Sequence, residues 1–170
     1  MRISIVGLAG SGKTTLAQEI SKKLKIPHVQ LDQFWFEEGG NKIDKRTPPA
    51  DKERIRKSVR DRVLKETSKS SWVSDGFYSR IQPEIAERVD ILIFLDVSLW
   101  KRLLNHGRRI LKQDGYRKSS VWSEITFFPE IIKRQFEYSP KLKIIIDKYK
   151  DKVVVFKSNK EIQEYLKTLR

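Results

Sequence analysis

The most constraining feature of the chain is a glycine-rich segment near its amino terminus. Residues 7–14 read Gly-Leu-Ala-Gly-Ser-Gly-Lys-Thr and match the phosphate-loop pattern G-x-x-x-x-G-K-[ST]. The pattern specifies a ligand, because its glycines let the backbone turn its N–H groups towards a polyphosphate. In this pattern Lys13 reaches the β- and γ-phosphates, and the hydroxyl of Thr14 can ligate Mg²⁺. We therefore predict a nucleoside triphosphate site formed by Gly7, Ala9, Gly10, Ser11, Gly12, Lys13, Thr14 and Thr15.

The segments on either side of the loop favour the local structure that this pattern needs. Residues 2–6 are mostly apolar and β-branched, which predicts a strand. Residues 14–25 carry Leu16, Ile20 and Leu24 at helical spacing, which predicts a helix. Because the helix follows the loop directly, its dipole and its unpaired N–H groups are expected to point at the phosphate.

Length and composition indicate one domain with its own core and exclude several classes of protein. The 170 residues include no cysteine and two distant histidines, so neither disulfides nor a structural zinc site is expected. We interpret His28 and His106 as structural or surface residues. No run approaches the roughly 18 apolar residues of a membrane span. The amino terminus reads as a strand rather than a cleavable signal, so we expect a cytosolic protein with no membrane partner.

The charge of the chain is strongly positive and unevenly distributed. Residues 1–90 carry 18 basic and 13 acidic side chains and residues 91–170 carry 18 and 9, for a net charge of +14. Residues 99–118 carry seven basic side chains and one acidic side chain, Asp114, which indicates a polyanionic partner. Two interpretations stay open: arginines that close over nucleotide phosphates, or a surface that binds nucleic acid. General solubility accounts for part of the total.

Strand-like and helix-like segments alternate, which is typical of a parallel sheet with helices on both faces. We predict strands at residues 2–6, 28–31, 71–74, 89–95 and 153–156. We predict helices at residues 14–25, 51–65, 83–88, 98–111, 122–149 and 160–169, the fifth interrupted at Pro129 and Pro140. Residues 34–49 are rich in turn formers and are expected to be irregular.

Three carboxylates follow strands of the predicted sheet: Asp32, Asp75 and Asp96. Because ligands of parallel α/β sheets bind at the carboxyl ends of the strands, we expect all three beside the phosphate loop. Carboxylates at that edge can hold Mg²⁺ through water or position an attacking hydroxyl. Each one alone could equally cap a helix or form a turn. As a set beside an intact phosphate loop, they favour a functional role.

Several motifs together resemble small P-loop kinases related to adenylate kinase. They are residues 7–15, Leu31-Asp32, residues 72–79, residues 94–96 and the basic helix that follows. The segment 75–79 and the aromatic-rich insert are most similar to the subfamily often labelled DNA topology modulation proteins. The resemblance covers nearly the whole chain.

This resemblance implies an α/β, three-layer P-loop NTPase fold made of one kinase-like domain over residues 1–170. The implied five-stranded parallel sheet has the order 2-3-1-4-5, with helices on both faces. An acceptor-binding insert is expected at about residues 33–68 and a small helical lid at about residues 107–122.

The resemblance also implies roles for individual residues. Lys13 and Thr14 are expected to hold ATP and Mg²⁺, with Asp96 at the Walker B-like position, so the expected metal ligands are Thr14 and Asp96. Asp32 and Asp75 are expected to face the acceptor. The expected lid arginines on the transferring phosphoryl group are Arg102, Arg108, Arg109 and Arg117. Backbone groups in the turn after the last strand are expected to hold the adenine, at Ser158 and Asn159.

The implied activity is ATP- and Mg²⁺-dependent phosphoryl transfer to a small acceptor, with a nucleotide or nucleoside favoured. Two departures leave the acceptor open: Tyr78 stands where adenylate kinases have proline, and Arg80 is one position late for their nucleotide-binding arginine. A metabolite kinase of shikimate or gluconate type is one alternative. The other is an ATP-binding regulatory protein that acts on nucleic acid, although no DNA-binding motif is present.

Two aromatic groups have no single interpretation from sequence. They are Phe34-Trp35-Phe36, and Trp122 with Phe127 and Phe128. Stacking on a planar acceptor and packing in the core or lid both suit such residues, and we favour packing because aromatic side chains mostly serve burial.

Overall fold

A five-stranded parallel sheet lies between two layers of helices in the computed structural model, which describes residues 1–112 and 128–169. The strands are β1 (Arg2–Gly7), β2 (His28–Gln30), β3 (Trp72–Asp75), β4 (Ile91–Leu95) and β5 (Val153–Phe156). The helices are α1 (Lys13–Leu24), α2 (Leu31–Glu37), α3 (Pro49–Glu66), α4 (Gln82–Arg88), α5 (Leu99–Lys112), α6 (Phe128–Lys148) and α7 (Asn159–Thr168). Two short 3₁₀ turns occupy Gly40–Lys42 and Lys150–Lys152.

The strand order is β2-β3-β1-β4-β5, with every neighbouring pair parallel, which confirms the predicted fold. β1 is central, and five of its six residues are buried. Its register aligns Ile5 with Asp75 of β3 and with Ile93 of β4. The carboxyl ends of β1 and β3 therefore meet at the edge where the phosphate loop begins.

The alternation of side chains along the strands divides the core into two clusters, one on each face of the sheet. The first contains residues of α1 and α7, represented by Leu16, Ile20 and Leu166. The second contains residues of α3, α4 and α6, with Val59, Val63, Ile85 and Leu142 as members. Neighbours in β3 divide between them, because Val73 belongs to the first cluster and Trp72 to the second. Asp75 shares the parity of Val73 and thus the face that α1 covers.

Residues 34–49 are more ordered than the sequence predicted, because helix α2 occupies Leu31–Glu37. Leu31 is fully buried, and Phe34 and Trp35 pack against the core, so one side of this short helix is anchored. Arg62 of α3 forms ion pairs with Glu37 at 2.5 Å and Glu38 at 2.9 Å. Tertiary contacts of α2 with the core and α3 thus outweigh the turn-forming composition of the segment.

Helix α6 also differs from its prediction, because it runs from Phe128 to Lys148 through Pro140. Pro129 lies in the first turn, where a missing N–H costs little. Beyond Pro140 the helix is held by the burial of Leu142 and Ile145. Packing against the sheet therefore compensates for the helical hydrogen bond that Pro140 removes, and α6 continues through this residue.

Within residues 1–112 and 128–169, no helix is both long and apolar enough to cross a membrane.

Candidate functional site

The phosphate loop (residues 7–14) connects the end of β1 to the start of α1 through backbone conformations that suit glycine. Gly10 and Gly12 have φ angles of 81° and 93°, in the left-handed region that other residues rarely adopt. Gly12 is the N-cap of α1, with no side chain capping the helix and no acidic residue in the first turn. The amino end of α1 is thus left to attract an anion, and it opens into the large cavity described below.

The other loop residues take different positions around this helix end. Lys13 donates from Nζ to the carbonyl of Leu8 at 3.1 Å, which keeps its ammonium beside the loop. Ser11 is buried, and within the described residues its hydroxyl has no hydrogen-bond partner. A Cβ on Gly7 would lie 2.9 Å from that hydroxyl, so Gly7 gives it room. Thr15 is exposed and lines the cavity.

Two side chains of helix α5, Arg102 and Asn105, donate hydrogen bonds to the backbone of the phosphate loop. Arg102 is 1% exposed and donates from Nε to the carbonyl of Val97 at 3.1 Å and from Nη1 to that of Ala9 at 3.4 Å. Its Nη2 donates to Oε1 of Gln135 in α6. Asn105 donates to the carbonyl of Gly10 at 2.9 Å.

The position of Arg102 differs from the one expected on the transferring phosphoryl group. Its guanidinium lies under the loop and binds backbone carbonyls, because position 102 on α5 points inward. Burial without a carboxylate partner in the described part of the chain lowers the pKa of Arg102. The contact is also steric: a Cβ on Gly10 would lie 2.7 Å from the carbonyl oxygen of Arg102.

The carboxylate beside the phosphate loop is Asp75. Its Oδ2 accepts a hydrogen bond from the hydroxyl of Thr14 at 2.5 Å, and its Oδ1 lies 2.7 Å from Nε2 of His28. Neither Asp75 nor Asp96 lines the cavity, but Asp96 is exposed, and its N–H bonds to the carbonyl of Phe156 at 2.9 Å. The structure thus brings Asp75 to Thr14 and does not bring Asp96 there.

Asp32 lies in the first turn of α2 and faces the same cavity. Its Oδ1 accepts a hydrogen bond from the hydroxyl of Tyr78 at 3.0 Å. The ring of Tyr78 packs against Trp35, with ring centroids 6.1 Å apart. Trp35 and Phe36 both line the cavity, and Trp35 also packs against the core.

One cavity of about 1750 Å³ joins the phosphate loop to the segment that carries α2 and α3. Its α3 side includes the cationic side chains of Arg56 and Lys57, and Arg80 lies nearby on the wall after β3. Arg108 lines it from α5. Ser158 and Asn159, at the start of α7, also line the cavity. The hydroxyl of Ser158 caps α7 by accepting a hydrogen bond from the N–H of Glu161 at 3.3 Å.

Part of the expected lid falls outside the described residues. This applies to Arg117, Trp122 and Phe127, and to the side chains of Arg109 and Phe128. Across residues 1–112 and 128–169, no three His, Cys, Asp or Glu side chains group closely enough to hold a metal by themselves.

Two contacts of the site were missed in the sequence interpretation. His28 reaches Asp75 from the neighbouring strand, and Asn105 reaches the loop from α5. The contact of His28 could have been predicted from the strand pairing, because Gln30 aligns with Asp75 and His28 lies two residues earlier on the same face. Asn105 gave no such signal, since its partner is a backbone carbonyl.

The fold and the phosphate loop define a P-loop α/β domain of the type found in small kinases. The AAA domain family matches residues 6–121, and the chain belongs to this family. It is 29% identical over 134 residues to an adenylate kinase of Caldicellulosiruptor bescii, an alignment that takes in 68% of the chain and 62% of the relative. The chain thus spans less than two thirds of that adenylate kinase.

Two shikimate kinases are also similar to the chain. That of Enterococcus faecalis is 44% identical over 41 residues, which are 24% of each chain. The crystal structure of the Bacteroides thetaiotaomicron enzyme superposes with a TM-score of 0.60 at 18% identity, covering 98% of this chain and 94% of that one. The structural likeness establishes the fold.

Proposed function

We propose that the protein transfers the γ-phosphoryl group of ATP to a small acceptor, with Mg²⁺ as cofactor. The observation that carries the proposal is that the phosphate loop and Asp32 line the same cavity, which gives donor and acceptor one shared space. Adenylate kinase and shikimate kinase relatives support the same reaction class. Such a transfer depends on positioning and on charge stabilisation rather than on covalent chemistry by the protein.

The chain's own residues suit the triphosphate end of this cavity. The amino end of α1 and Lys13 provide donors and positive charge for phosphate oxygens. Mg²⁺, when bound, supplies charge neutralisation between the phosphates. We propose Thr14 as its ligand and Asp75 as its outer-shell carboxylate, in place of Asp96, because Asp75 is the carboxylate in contact with Thr14.

We assign the acceptor to the α2–α3 side of the cavity. Asp32 is proposed to receive the proton of the acceptor hydroxyl, with Tyr78 fixing the carboxylate through Oδ1. The cations on this side, Arg56, Lys57, Arg60 and Arg80, outnumber the carboxylates of Glu37 and Glu53, although Glu53 pairs with Arg56 at 3.6 Å and with Arg80 at 3.9 Å. This excess of positive charge favours an acceptor with an anionic group. A nucleotide fits that description, and so does a small carboxylate such as shikimate.

The test is a panel of acceptors assayed for ADP release: nucleoside monophosphates, nucleosides, shikimate and gluconate. We expect ADP release above the acceptor-free rate with an anionic acceptor, and loss of that release in Lys13→Ala. Thermal-shift titration with ATP and Mg²⁺ provides a second measurement, since bound ligand stabilises the protein by about 2.7 kcal/mol at a concentration of 100 Kd. Equal shifts for the parent protein and Lys13→Ala would contradict the assigned triphosphate site.

Variants of the lid arginines can distinguish phosphoryl transfer from action on nucleic acid. Arg108 lines the cavity, and we propose that Arg108 and Arg109 stabilise the transferring phosphoryl group. Their double alanine variant is then expected to lose roughly 10³-fold or more in turnover, as for other charge-stabilising arginines. Retained turnover with weaker, less salt-dependent polynucleotide binding would favour a nucleic-acid surface instead. None of the relatives described above is a DNA topology modulation protein.

A further inference from the structure

Each oxygen of the Asp75 carboxylate has its own side-chain partner, and the two partners belong to different elements of the fold. His28 lies 2.7 Å from Oδ1, and the hydroxyl of Thr14 lies 2.5 Å from Oδ2. Asp75 is only 4% exposed, so its carboxylate is largely withdrawn from bulk solvent. A buried carboxylate in this position needs protein donors, because an unpartnered oxygen there loses its full hydration.

The geometry of the sheet explains why His28 is the second partner. β2 pairs in parallel with β3, with His28 opposite Val73 and Gln30 opposite Asp75. Residues two apart on a strand share a face, and here it is the face covered by α1, whose first turn carries Thr14. The imidazole thus lies on the far side of Asp75 from Thr14.

Carboxylate oxygens only accept hydrogen bonds, so Nε2 of His28 is the donor when Asp75 is ionised. We infer that His28 is a positioning residue that holds Oδ1 of Asp75 and thereby directs Oδ2 at Thr14 and at a Mg²⁺ bound there. This inference rests on the proposed function, because it concerns how the protein arranges the carboxylate for the metal. His28 itself is 17% exposed at the side chain and does not line the cavity.

The experiment measures the affinity of the whole protein for ATP with Mg²⁺ and with EDTA, by calorimetry, for His28→Leu and His28→Gln. Leucine approximates the volume of histidine without a donor, whereas the glutamine amide can replace the Nε2 donor. We expect His28→Leu to lose roughly tenfold of the affinity gained from Mg²⁺, the size of one hydrogen bond to a charged group. Its affinity in EDTA should stay within about twofold of the parent value.

The conservative variant and a reserve variant complete the test. His28→Gln is expected to keep the Mg²⁺-dependent gain, which a purely structural role of the ring would not predict. If His28→Leu does not fold, His28→Asn takes its place, because its shorter amide does not reach Asp75.

Two outcomes would overturn the inference in different ways. A full Mg²⁺-dependent gain in His28→Leu or its replacement would overturn it and leave the proposed function standing. A parent protein whose ATP affinity is the same with Mg²⁺ and with EDTA would overturn the proposed function, and the role of His28 with it.

Discussion

The side-chain amide of Asn105 donates to the carbonyl oxygen of Gly10 at 2.9 Å, which joins helix α5 directly to the phosphate loop. Arg102 makes a second connection one turn earlier, to the carbonyl of Ala9. The two side chains restrain consecutive peptide groups of the loop. The shape of the phosphate loop therefore depends on α5 as well as on its own glycines.

Removing the amide of Asn105 is expected to loosen the loop and weaken ATP binding. A hydrogen bond of this kind contributes about 0.5–1.5 kcal/mol net, so Asn105→Ala should raise the Kd for ATP by about two- to tenfold. Calorimetry on both proteins measures the change. The matched control is Leu104→Ala, at an exposed neighbouring position of α5, which should bind like the parent. Unchanged affinity in Asn105→Ala would mean that the loop keeps its shape without this bond.

The main expected effect of replacing Arg102 is a loss of stability rather than a loss of catalysis. Arg102→Met leaves the partly buried carbonyls of Val97 and Ala9 without this donor, at about 1–3 kcal/mol each. A combined loss of about 3 kcal/mol corresponds to a fall in Tm of about 6–12 °C for a chain of this size. Differential scanning calorimetry checks it. Arg80→Met, at a side chain that is 73% exposed, is the control and should shift stability by less than about 0.5 kcal/mol.

Gly40 lies against the indole ring of Trp35, with no room for a side chain. A Cβ on Gly40 would lie 2.2 Å from Cε2 of the ring, so Gly40→Ala must displace Trp35 or the turn. We expect a destabilisation of about 1–3 kcal/mol by urea unfolding, with a change in Trp fluorescence. Gly107→Ala in helix α5 is the opposite case, because its Cβ meets nothing within 4 Å. That variant should be stabilised by about 0.5–1 kcal/mol; similar effects for both would refute the steric account.

The attachment of α2 to α3 is expected to depend on pH. Hydrogen bonding to Arg62 lowers the pKa of Glu37, and hydrogen bonds from Ser58 and then Arg62 lower the pKa of Glu38, both from an ordinary value of 4.5. Because the folded pKa values lie below the unfolded ones, the stabilisation is complete above pH 4.5 and is lost as the pH falls through the folded values.

Arg62→Gln should therefore have a lower Tm than the parent near neutral pH, and the difference should shrink in acid. Thermal unfolding between pH 7 and about pH 3 measures it. Arg80→Gln is the control, because Arg80 is exposed and its ion pair with Glu53 is long, at 3.9 Å. A difference in Tm between the parent protein and Arg62→Gln that grows towards acid pH would contradict the predicted direction of the pH dependence.

The local patterns of the sequence were sufficient for most of the elements, whereas the strand order came from the family resemblance. Gly7–Thr14 marks the loop between β1 and α1, and the apolar run 91–95 marks a buried strand. Composition was a poor guide over residues 34–49, where α2 forms because Leu31, Phe34 and Trp35 pack on a core built from distant parts of the chain. Turn-forming residues there indicated the ends of a helix rather than its absence.

The sequence alone was sufficient to predict a polyphosphate ligand and the edge of the sheet that would bind it, because a phosphate loop is a continuous stretch with a local conformation. The tertiary structure alone decided which carboxylate meets that loop. Asp75 and Asp96 both follow strands, but β3 pairs with β1 in a register and parity that bring Asp75 to Thr14, whereas Asp96 follows β4 and stays exposed. The structure likewise decided the places of Arg102 and His28. Their partners are 93 and 47 residues away in the chain, and only strand pairing and helix packing bring such groups together.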